Sequence, residues 1–166
     1  MERGKSARLA LMTDDQVTEL MVHGIVVGIF QENCWVIGNR RTGDAVCIDP
    51  GDEPDRILAM AGDMGVKIKA IANSHAHVDH ILGVREIQRQ TGAKFYMHSS
   101  EAAIAAMAVD TAMRYTGQVA EPPHDPDFSP VDGDIVEVEG LQLTVIHTPG
   151  HTPGSLSYYT TGVLFS

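Results

Sequence analysis

Apolar and polar residues alternate along the chain in short runs that predict strands. From Gly24 the sequence reads GIVVGIF, then NCWVIG and AVCID, and the glycine-containing segment NRRTGD joins the last two as a hairpin loop. Further strands are predicted near the C-terminus at DIVEVEG, LQLTVIH, SLSYYT and VLFS. The pattern predicts a domain that opens with three antiparallel strands and returns to strands at its end.

Helical periodicity appears between these strand regions. The segment PDRILAMAGDM spaces its apolar side chains along one helical face and stops at Gly65. A second helix is predicted over ILGVREIQRQTG, after the apolar strand KIKAIANS, and a third over SSEAAIAAMA, after the strand KFYMH. Residues 108–130 contain four prolines and predict a long loop. The alternation of strands and helices predicts a layered α/β core.

Length and charge limit the classes of protein that fit. A chain of 166 residues suits one domain, which we place at residues 23–166 after an N-terminal extension at residues 1–22. The net charge of −10 argues against nucleic acid and anionic membrane surfaces as partners. The longest apolar runs are too short to cross a bilayer. The apolar stretch Leu9 to Met12 is too brief for a signal peptide, so we expect a cytoplasmic protein.

Two segments carry candidate metal ligands. The run His75-Ala76-His77-Val78-Asp79-His80 puts three imidazoles and a carboxylate directly after an apolar strand. Imidazole nitrogen and carboxylate oxygen suit zinc, and the two cysteines, Cys34 and Cys47, lie in predicted strands where we expect buried thiols. A histidine-rich polar loop is the alternative interpretation, but four ligand-type side chains in six residues favour a metal site.

A second segment, HTPGHTPG at residues 147–154, follows another apolar strand. Its two prolines and two glycines predict a stiff turn that other backbone can approach closely, as a fixed ligand position requires. We therefore expect the two segments to meet around a divalent cation.

With both motifs in place, the chain from about His23 to its end resembles the metallo-β-lactamase fold superfamily and, within it, the glyoxalase II-like group. The resemblance rests on HxHxDH at residues 75–80, with Ser74 in place of the usual threonine, and on PGHTPGS at residues 149–155. The segments FQENCWVIG and CIDPGD also resemble that family. The resemblance implies that the chain forms the first half to two thirds of a four-layer αββα fold.

The resemblance also implies a ligand set. His75, His77 and His151 would bind one metal ion, and Asp79 and His80 a second, with Asp79 also orienting the attacking water as the catalytic residue. His147 matches a position that is not ordinarily a ligand, and the remaining histidines match no motif position. Zinc is the expected metal, as one or two ions, with iron or manganese as alternatives.

One departure from the family pattern affects the expected domain. The bridging aspartate and a later histidine of the family would come after Ser166, so we expect a C-terminally incomplete domain, either a natural truncation or a fragment. If a second β-layer were missing, one apolar face of the first sheet would be exposed and would favour a homodimer.

The activity that the resemblance implies is hydrolysis of a small thioester, of the hydroxyacylglutathione type, by metal-bound hydroxide. Two alternatives remain open at this point. One is an iron protein similar to the persulfide dioxygenases, and the other is a truncated, non-catalytic metal-binding module.

Overall fold

The computed structural model describes residues 19–117, 120–121 and 123–166 of the chain. Its elements, in chain order, are β1 (Leu20–Val27), β2 (Glu32–Asn39), β3 (Asp44–Ile48), α1 (Pro54–Asp63), β4 (Lys67–Ala72), α2 (Val78–Ile81), α3 (Val84–Thr91), β5 (Lys94–Tyr96), a 3₁₀ helix (Ser99–Glu101), α4 (Ala102–Thr116), β6 (Ile135–Val138), β7 (Leu141–His147), β8 (Leu156–Thr160) and β9 (Val163–Phe165). No helix among these residues is long and apolar enough to span a membrane.

The first sheet has the strand order β1-β2-β3-β4-β5. Strands β1, β2 and β3 are antiparallel neighbours, which confirms the predicted opening of the domain. Strands β3, β4 and β5 run parallel, and α1 forms the crossover between β3 and β4. The parallel arrangement brings the C-terminal ends of β3 and β4 to one edge, where Asp49 and the loop that begins at Asn73 lie together.

The second sheet, β6-β7-β8-β9, is antiparallel throughout and packs face to face on the first. Ile37 and Ile48 of the first sheet share a buried cluster with Leu143 and Tyr158 of the second. The apolar face of the first sheet is therefore covered, and the expectation that it would be exposed is wrong. The homodimer was predicted from an exposed apolar face, and that argument no longer applies. The homodimer itself stays a prediction.

Helices cover the other face of the first sheet. Ile57 of α1, Ile87 of α3 and Ala108 of α4 are buried against Cys34 and Cys47 on the sheet. Both cysteines are free thiols, with their Sγ atoms 3.5 Å apart, as the sequence predicted for buried structural residues. The order helix, sheet, sheet supplies three of the four layers of the predicted αββα fold.

Three predicted boundaries differ in the structure. Strand β1 begins at Leu20, inside the proposed extension 1–22, of which residues 1–18 lie outside the described part. The helix predicted over ILGVREIQRQTG is divided into α2 and α3. Helix α4 continues to Thr116 instead of ending near residue 108, because Ala105, Ala108 and Ala112 bury one face, and Gly117 caps it in the left-handed conformation. Residues 108–116 of the predicted loop are therefore helical, and its residues 118, 119 and 122 lie outside the described part of the chain.

The Asp-Pro-Gly turn after β3 lies against the backbone of the ligand loop. The backbone N–H of Gly83 donates a hydrogen bond to the carbonyl oxygen of Pro50 at 2.8 Å. A Cβ atom added at Gly51 would lie 1.6 Å from the carbonyl oxygen of Asp79. Glycine is therefore required at position 51 because two backbone segments touch there.

We expect Gly51→Ala to lower the free energy of unfolding by about 3 kcal/mol or more, because the backbone of the ligand loop would have to move. Urea unfolding monitored by circular dichroism measures the change. The matched control is Gly62→Ala in α1, where an added Cβ meets nothing within 4 Å. That control should change stability by no more than about 1 kcal/mol. Equal stability of the Gly51→Ala variant and the natural chain would contradict this packing.

Candidate metal centre

The two predicted ligand segments meet at one end of the paired sheets. The first segment follows β4 and the second follows β7. The backbone N–H of Leu156 donates to the carbonyl oxygen of Ser74 at 2.8 Å, and the hydroxyl of Tyr158 donates to the carbonyl oxygen of Asn73 at 2.7 Å. Strand β8 of the second sheet therefore holds the loop of the first sheet directly.

The imidazoles of His75, His77 and His151 surround a common point. Their ring centroids are separated by 4.8 Å for His75 and His77, 4.8 Å for His75 and His151, and 4.7 Å for His77 and His151. Nδ1 of His77 lies 3.0 Å from Nε2 of His151. Ring nitrogens of all three lie within 4.8 Å of one another. The structure thus brings together residues from two loops that are 74 positions apart in the chain.

A relay of polar groups sets the orientation of the His75 ring. Asp49 accepts the backbone N–H of Ser74 at Oδ1 and the Ser74 hydroxyl at Oδ2, both at 2.6 Å. The Ser74 oxygen lies 2.9 Å from Nδ1 of His75. Because the hydroxyl proton goes to the carboxylate, the hydroxyl oxygen accepts a hydrogen bond from Nδ1–H of His75. This tautomer leaves Nε2 of His75 with a free lone pair, as a metal ligand needs.

The environment of His75 fits a bound cation. Its Nε2 atom is buried and has no hydrogen-bond partner among the described residues. Burial, together with the neighbouring His80, lowers the pKa of His75 to about 4, and burial and His151 lower the pKa of His77. The His75 imidazole is therefore neutral at pH 7. A buried nitrogen with an unused lone pair, beside two more imidazoles, is the donor set that zinc prefers.

The second predicted pair, Asp79 and His80, lies directly beside this group. The ring centroid of His80 is 4.0 Å from that of His75, and Nε2 of His80 lies 3.6 Å from Oδ2 of Asp79. On the other side of the ring, Nδ1 of His80 lies 3.1 Å from Oδ2 of Asp49 and 3.8 Å from Oε1 of Glu32. All five predicted ligands are thus gathered at one end of the sheets, with two carboxylates that were not predicted.

Glu32 is a buried carboxyl group in an acidic environment. It is 8% exposed. Burial, followed by the negative charges of Asp49 and Asp79, raises the pKa of Glu32 to about 9. Asp49 itself has a positive φ of 49°, a conformation that non-glycine residues rarely adopt outside constrained sites.

Glu101 joins the two ligand loops through a single side chain. Its Oε2 atom accepts the backbone N–H of Ala76 at 2.9 Å, and its Oε1 atom accepts the backbone N–H of Gly154 at 2.8 Å. Glu101 is fully buried, and a Cβ added at Gly154 would lie 2.8 Å from its side chain. The carboxylate therefore fixes the spacing between the loop of His75 and His77 and the loop of His151.

The remaining histidines lie outside the group. The ring of His147 stacks on that of His98 with centroids 4.8 Å apart, and its Nε2 atom lies 3.0 Å from the carbonyl oxygen of Pro153. His23 lies in β1 and His124 is exposed. These contacts agree with the prediction that His147 packs and hydrogen-bonds near the site, and its not being a ligand stays a prediction.

Sequence reasoning did not single out Glu32, Asp49 or Glu101 as site residues. Glu32 stands next to the apolar run NCWVIG, and an acid beside a buried strand is a usable signal. Asp49 lies in the segment CIDPGD, which indicated only a resemblance to the family. Glu101 opens a helix, where an acidic residue is commonplace, so the sequence held no signal for its role.

Comparison with known proteins identifies the family. The metallo-β-lactamase superfamily matches residues 27–166, which is most of the chain. The chain therefore belongs to the metallo-β-lactamase superfamily. It spans about two thirds or less of the length of the relatives it matches.

The similar proteins include hydroxyacylglutathione hydrolases and metallo-β-lactamases. A hydroxyacylglutathione hydrolase of Aeromonas hydrophila is 32% identical over 143 residues, covering 85% of this chain and 48% of that protein. Among solved structures, the BLEG-1 B3 metallo-β-lactamase matches with a TM-score of 0.74 and 29% identity, over 84% of this chain and 66% of that one. TTHA1623 in a di-iron-bound form matches with a TM-score of 0.70 and 30% identity, over 82% and 66%.

We expect Glu101→Gln to disturb the candidate metal centre. The amide can accept at only one of its two positions, so one buried backbone N–H loses its partner, at a cost of about 1–3 kcal/mol in unfolding free energy. The affinity for Zn²⁺ should fall about 10-fold to 100-fold, as for other residues that hold ligands in place. Isothermal titration with Zn²⁺ and urea unfolding measure both quantities.

The matched control is Asp110→Asn, an exposed acid on α4, the helix that directly follows Glu101. It should leave both the zinc affinity and the stability unchanged. If Glu101→Gln behaved like this control, the carboxylate would not be the link that positions the two loops.

Proposed function

We propose that this chain carries the metal-binding part of a thioester hydrolase of the glyoxalase II type, acting on a hydroxyacylglutathione-like substrate. The observation that carries the proposal is the meeting of three imidazoles from two separate loops, one of them with a buried and unpartnered nitrogen. The hydroxyacylglutathione hydrolases among the relatives supply the substrate class. Cytoplasmic location and a lack of nucleic-acid partners stay predictions from the sequence.

His75, His77 and His151 are the residues that would hold the first metal ion, and Asp79 with His80 would contribute to a second. Zinc is the proposed metal because the first set contains only nitrogen donors and no thiolate. The di-iron form of TTHA1623 makes iron the chief alternative, and metal analysis of the purified protein distinguishes the two.

A zinc ion in such a site lowers the pKa of coordinated water towards about 7 and polarises a carbonyl oxygen. The chain's own residues would orient the attacking water and accept its proton. Asp79 lies on the first turn of α2, with its side chain about one third exposed, and its carboxylate can accept the proton of the attacking water. Hydrolysis breaks the carbonyl carbon–sulfur bond and consumes one water: the hydroxyl group completes a carboxylic acid, and the proton accepted by Asp79 passes to the leaving thiolate to give a thiol.

Apolar side chains lie at the surface beside Asp79. The β1–β2 turn, with Ile29 and Phe30, lines a crevice together with Asp79. The Phe30 ring meets that of Tyr115 edge to face, with centroids 5.9 Å apart, and both rings are substantially exposed. Exposed aromatic rings next to a polar site are typical of substrate contact surfaces.

We expect Asp79→Asn to lower kcat for a hydroxyacylglutathione thioester about 100-fold or more, because the amide cannot take a proton from water. The zinc content of the three-histidine position and the urea unfolding midpoint should stay unchanged. Release of free thiol, followed with a thiol-reactive chromophore, measures turnover. Asp63→Asn, an exposed acid at the end of α1, is the control and should keep full activity.

Two results would count against the proposal. Zinc-loaded protein that releases no thiol from the thioester would favour a non-catalytic metal-binding module. Undiminished turnover in the Asp79→Asn variant would remove Asp79 from the reaction.

A further inference from the structure

The side chain of His147 crosses the loop that carries His151. Strand β7 ends at His147, and β8 begins at Leu156. Nε2 of His147 lies 3.0 Å from the carbonyl oxygen of Pro153. Because a carbonyl oxygen can only accept, Nε2 of His147 carries the proton and donates the hydrogen bond. The bond therefore joins the start of the loop to a residue close behind His151.

The ring of His147 is itself held by contacts outside this loop. It stacks on the ring of His98, with centroids 4.8 Å apart and an angle of 9° between the two planes. Nδ1 of His98 accepts the backbone N–H of Ser100 at 3.2 Å, which fixes that ring in turn. The backbone N–H of His147 donates to Oδ1 of Asp132 at 2.9 Å. These contacts aim the donor at the carbonyl oxygen of Pro153.

One peptide group of the loop, between Pro153 and Gly154, is bonded on both sides. Its carbonyl oxygen accepts from His147, and its N–H donates to Oε1 of Glu101 at 2.8 Å. The C=O and N–H of a trans peptide point in opposite directions. The two hydrogen bonds together therefore oppose any rotation of this peptide plane.

The same peptide group is the centre of a β-turn whose sequence favours another form. The backbone N–H of Ser155 donates to the carbonyl oxygen of Thr152 at 3.4 Å, so Pro153 and Gly154 are the two central residues. Proline followed by glycine is typical of type II turns, in which the glycine has a φ of about +80°. Gly154 does not have a positive φ. Turns of types I and II differ in the direction that the central peptide faces, and the two hydrogen bonds at that peptide hold the observed direction.

The exposure of His151 makes the position of its ring dependent on this turn. His75 is 8% exposed and is held by a buried polar neighbour, whereas His151 is exposed. Burial therefore does not keep His151 against His77, although their ring nitrogens lie 3.0 Å apart. A ligand on an exposed loop keeps its place only if the backbone of the loop is fixed. The direction of the Pro153–Gly154 peptide thus decides where His151 lies.

We infer that His147 is a positioning residue, which holds His151 in place as a metal ligand through the Pro153–Gly154 peptide. The inference rests on the metal centre of the proposed function and adds to it a residue that acts through the backbone of the loop. The feature that matters is the N–H donor at Nε2 of His147, and the stack on His98 aims that donor.

Two substitutions separate the donor from the ring. His147→Phe keeps the stack on His98 and removes the donor, whereas His147→Gln keeps an N–H donor and removes the ring. We expect His147→Phe to raise the Kd for Zn²⁺ about tenfold or more, and to alter the visible absorption bands of Co²⁺ bound in place of zinc. His147→Gln should stay within about threefold of the natural Kd, because a neutral donor still reaches the carbonyl oxygen. His124→Phe, the same change at an exposed histidine, is the control and should leave both measurements unchanged.

Nuclear magnetic resonance of the full chain without metal gives a second readout. In His147→Phe the backbone amide of Gly154 should exchange with solvent about tenfold faster than in the natural chain, because its peptide is held on one side only. The nuclear Overhauser contact between the rings of His77 and His151 should weaken as well. Natural exchange, ring contact and zinc affinity in His147→Phe would overturn the inference.

Two other results would also overturn it. A His147→Gln variant that behaves like His147→Phe would show that the ring matters and the donor does not. A lower urea midpoint of His147→Phe with natural zinc affinity would make His147 a structural residue only. Failure of the natural chain to bind zinc would count against the proposed function, and the exchange of Gly154 would still decide the role of His147.

Discussion

One buried carboxylate holds the two halves of the candidate metal centre together. Glu101 accepts one backbone N–H from each ligand loop, at 2.9 Å and 2.8 Å. A buried carboxylate needs hydrogen-bond donors to replace water. Both donors to Glu101 are backbone N–H groups of the two ligand loops. The three-imidazole geometry therefore depends on a residue that does not itself face the common point. His75, His77 and His151 could not stay within ligand distance if the two loops moved independently.

The rest of the architecture supports that contact from both sides. The first sheet brings Asp49 and Ser74 to one edge because β3 and β4 are parallel, and the Asp49–Ser74 hydrogen bonds then fix the tautomer of His75. The second sheet anchors the same loop through the hydroxyl of Tyr158. Polar groups with fixed partners thus surround the Nε2 atom of His75, which has no hydrogen-bond partner among the described residues. Such a contrast pre-organises a site for a cation before the ion arrives.

Most of the strands and the candidate ligands were predictable from the sequence, because both leave short-range patterns. Short apolar runs located β2 and β3, period-two alternation located β6 and β7, and the HxHxDH spacing located four of the five proposed ligands. Helix α4 was predicted too short because its alanine-rich continuation has weak amphipathic contrast. The roles of Glu32 and Glu101 depend on contacts across long stretches of chain. The 25 positions between Ala76 and Glu101, and the 53 between Glu101 and Gly154, leave no local signal.

The central claim is that His75, His77 and His151 bind one metal ion together. Zinc K-edge X-ray absorption of the natural chain loaded with one equivalent of Zn²⁺ tests it most directly. We expect three imidazole nitrogens at about 2.0–2.1 Å from the zinc ion, with the multiple-scattering pattern of histidine rings. A first shell of oxygen atoms with no more than one imidazole would contradict it.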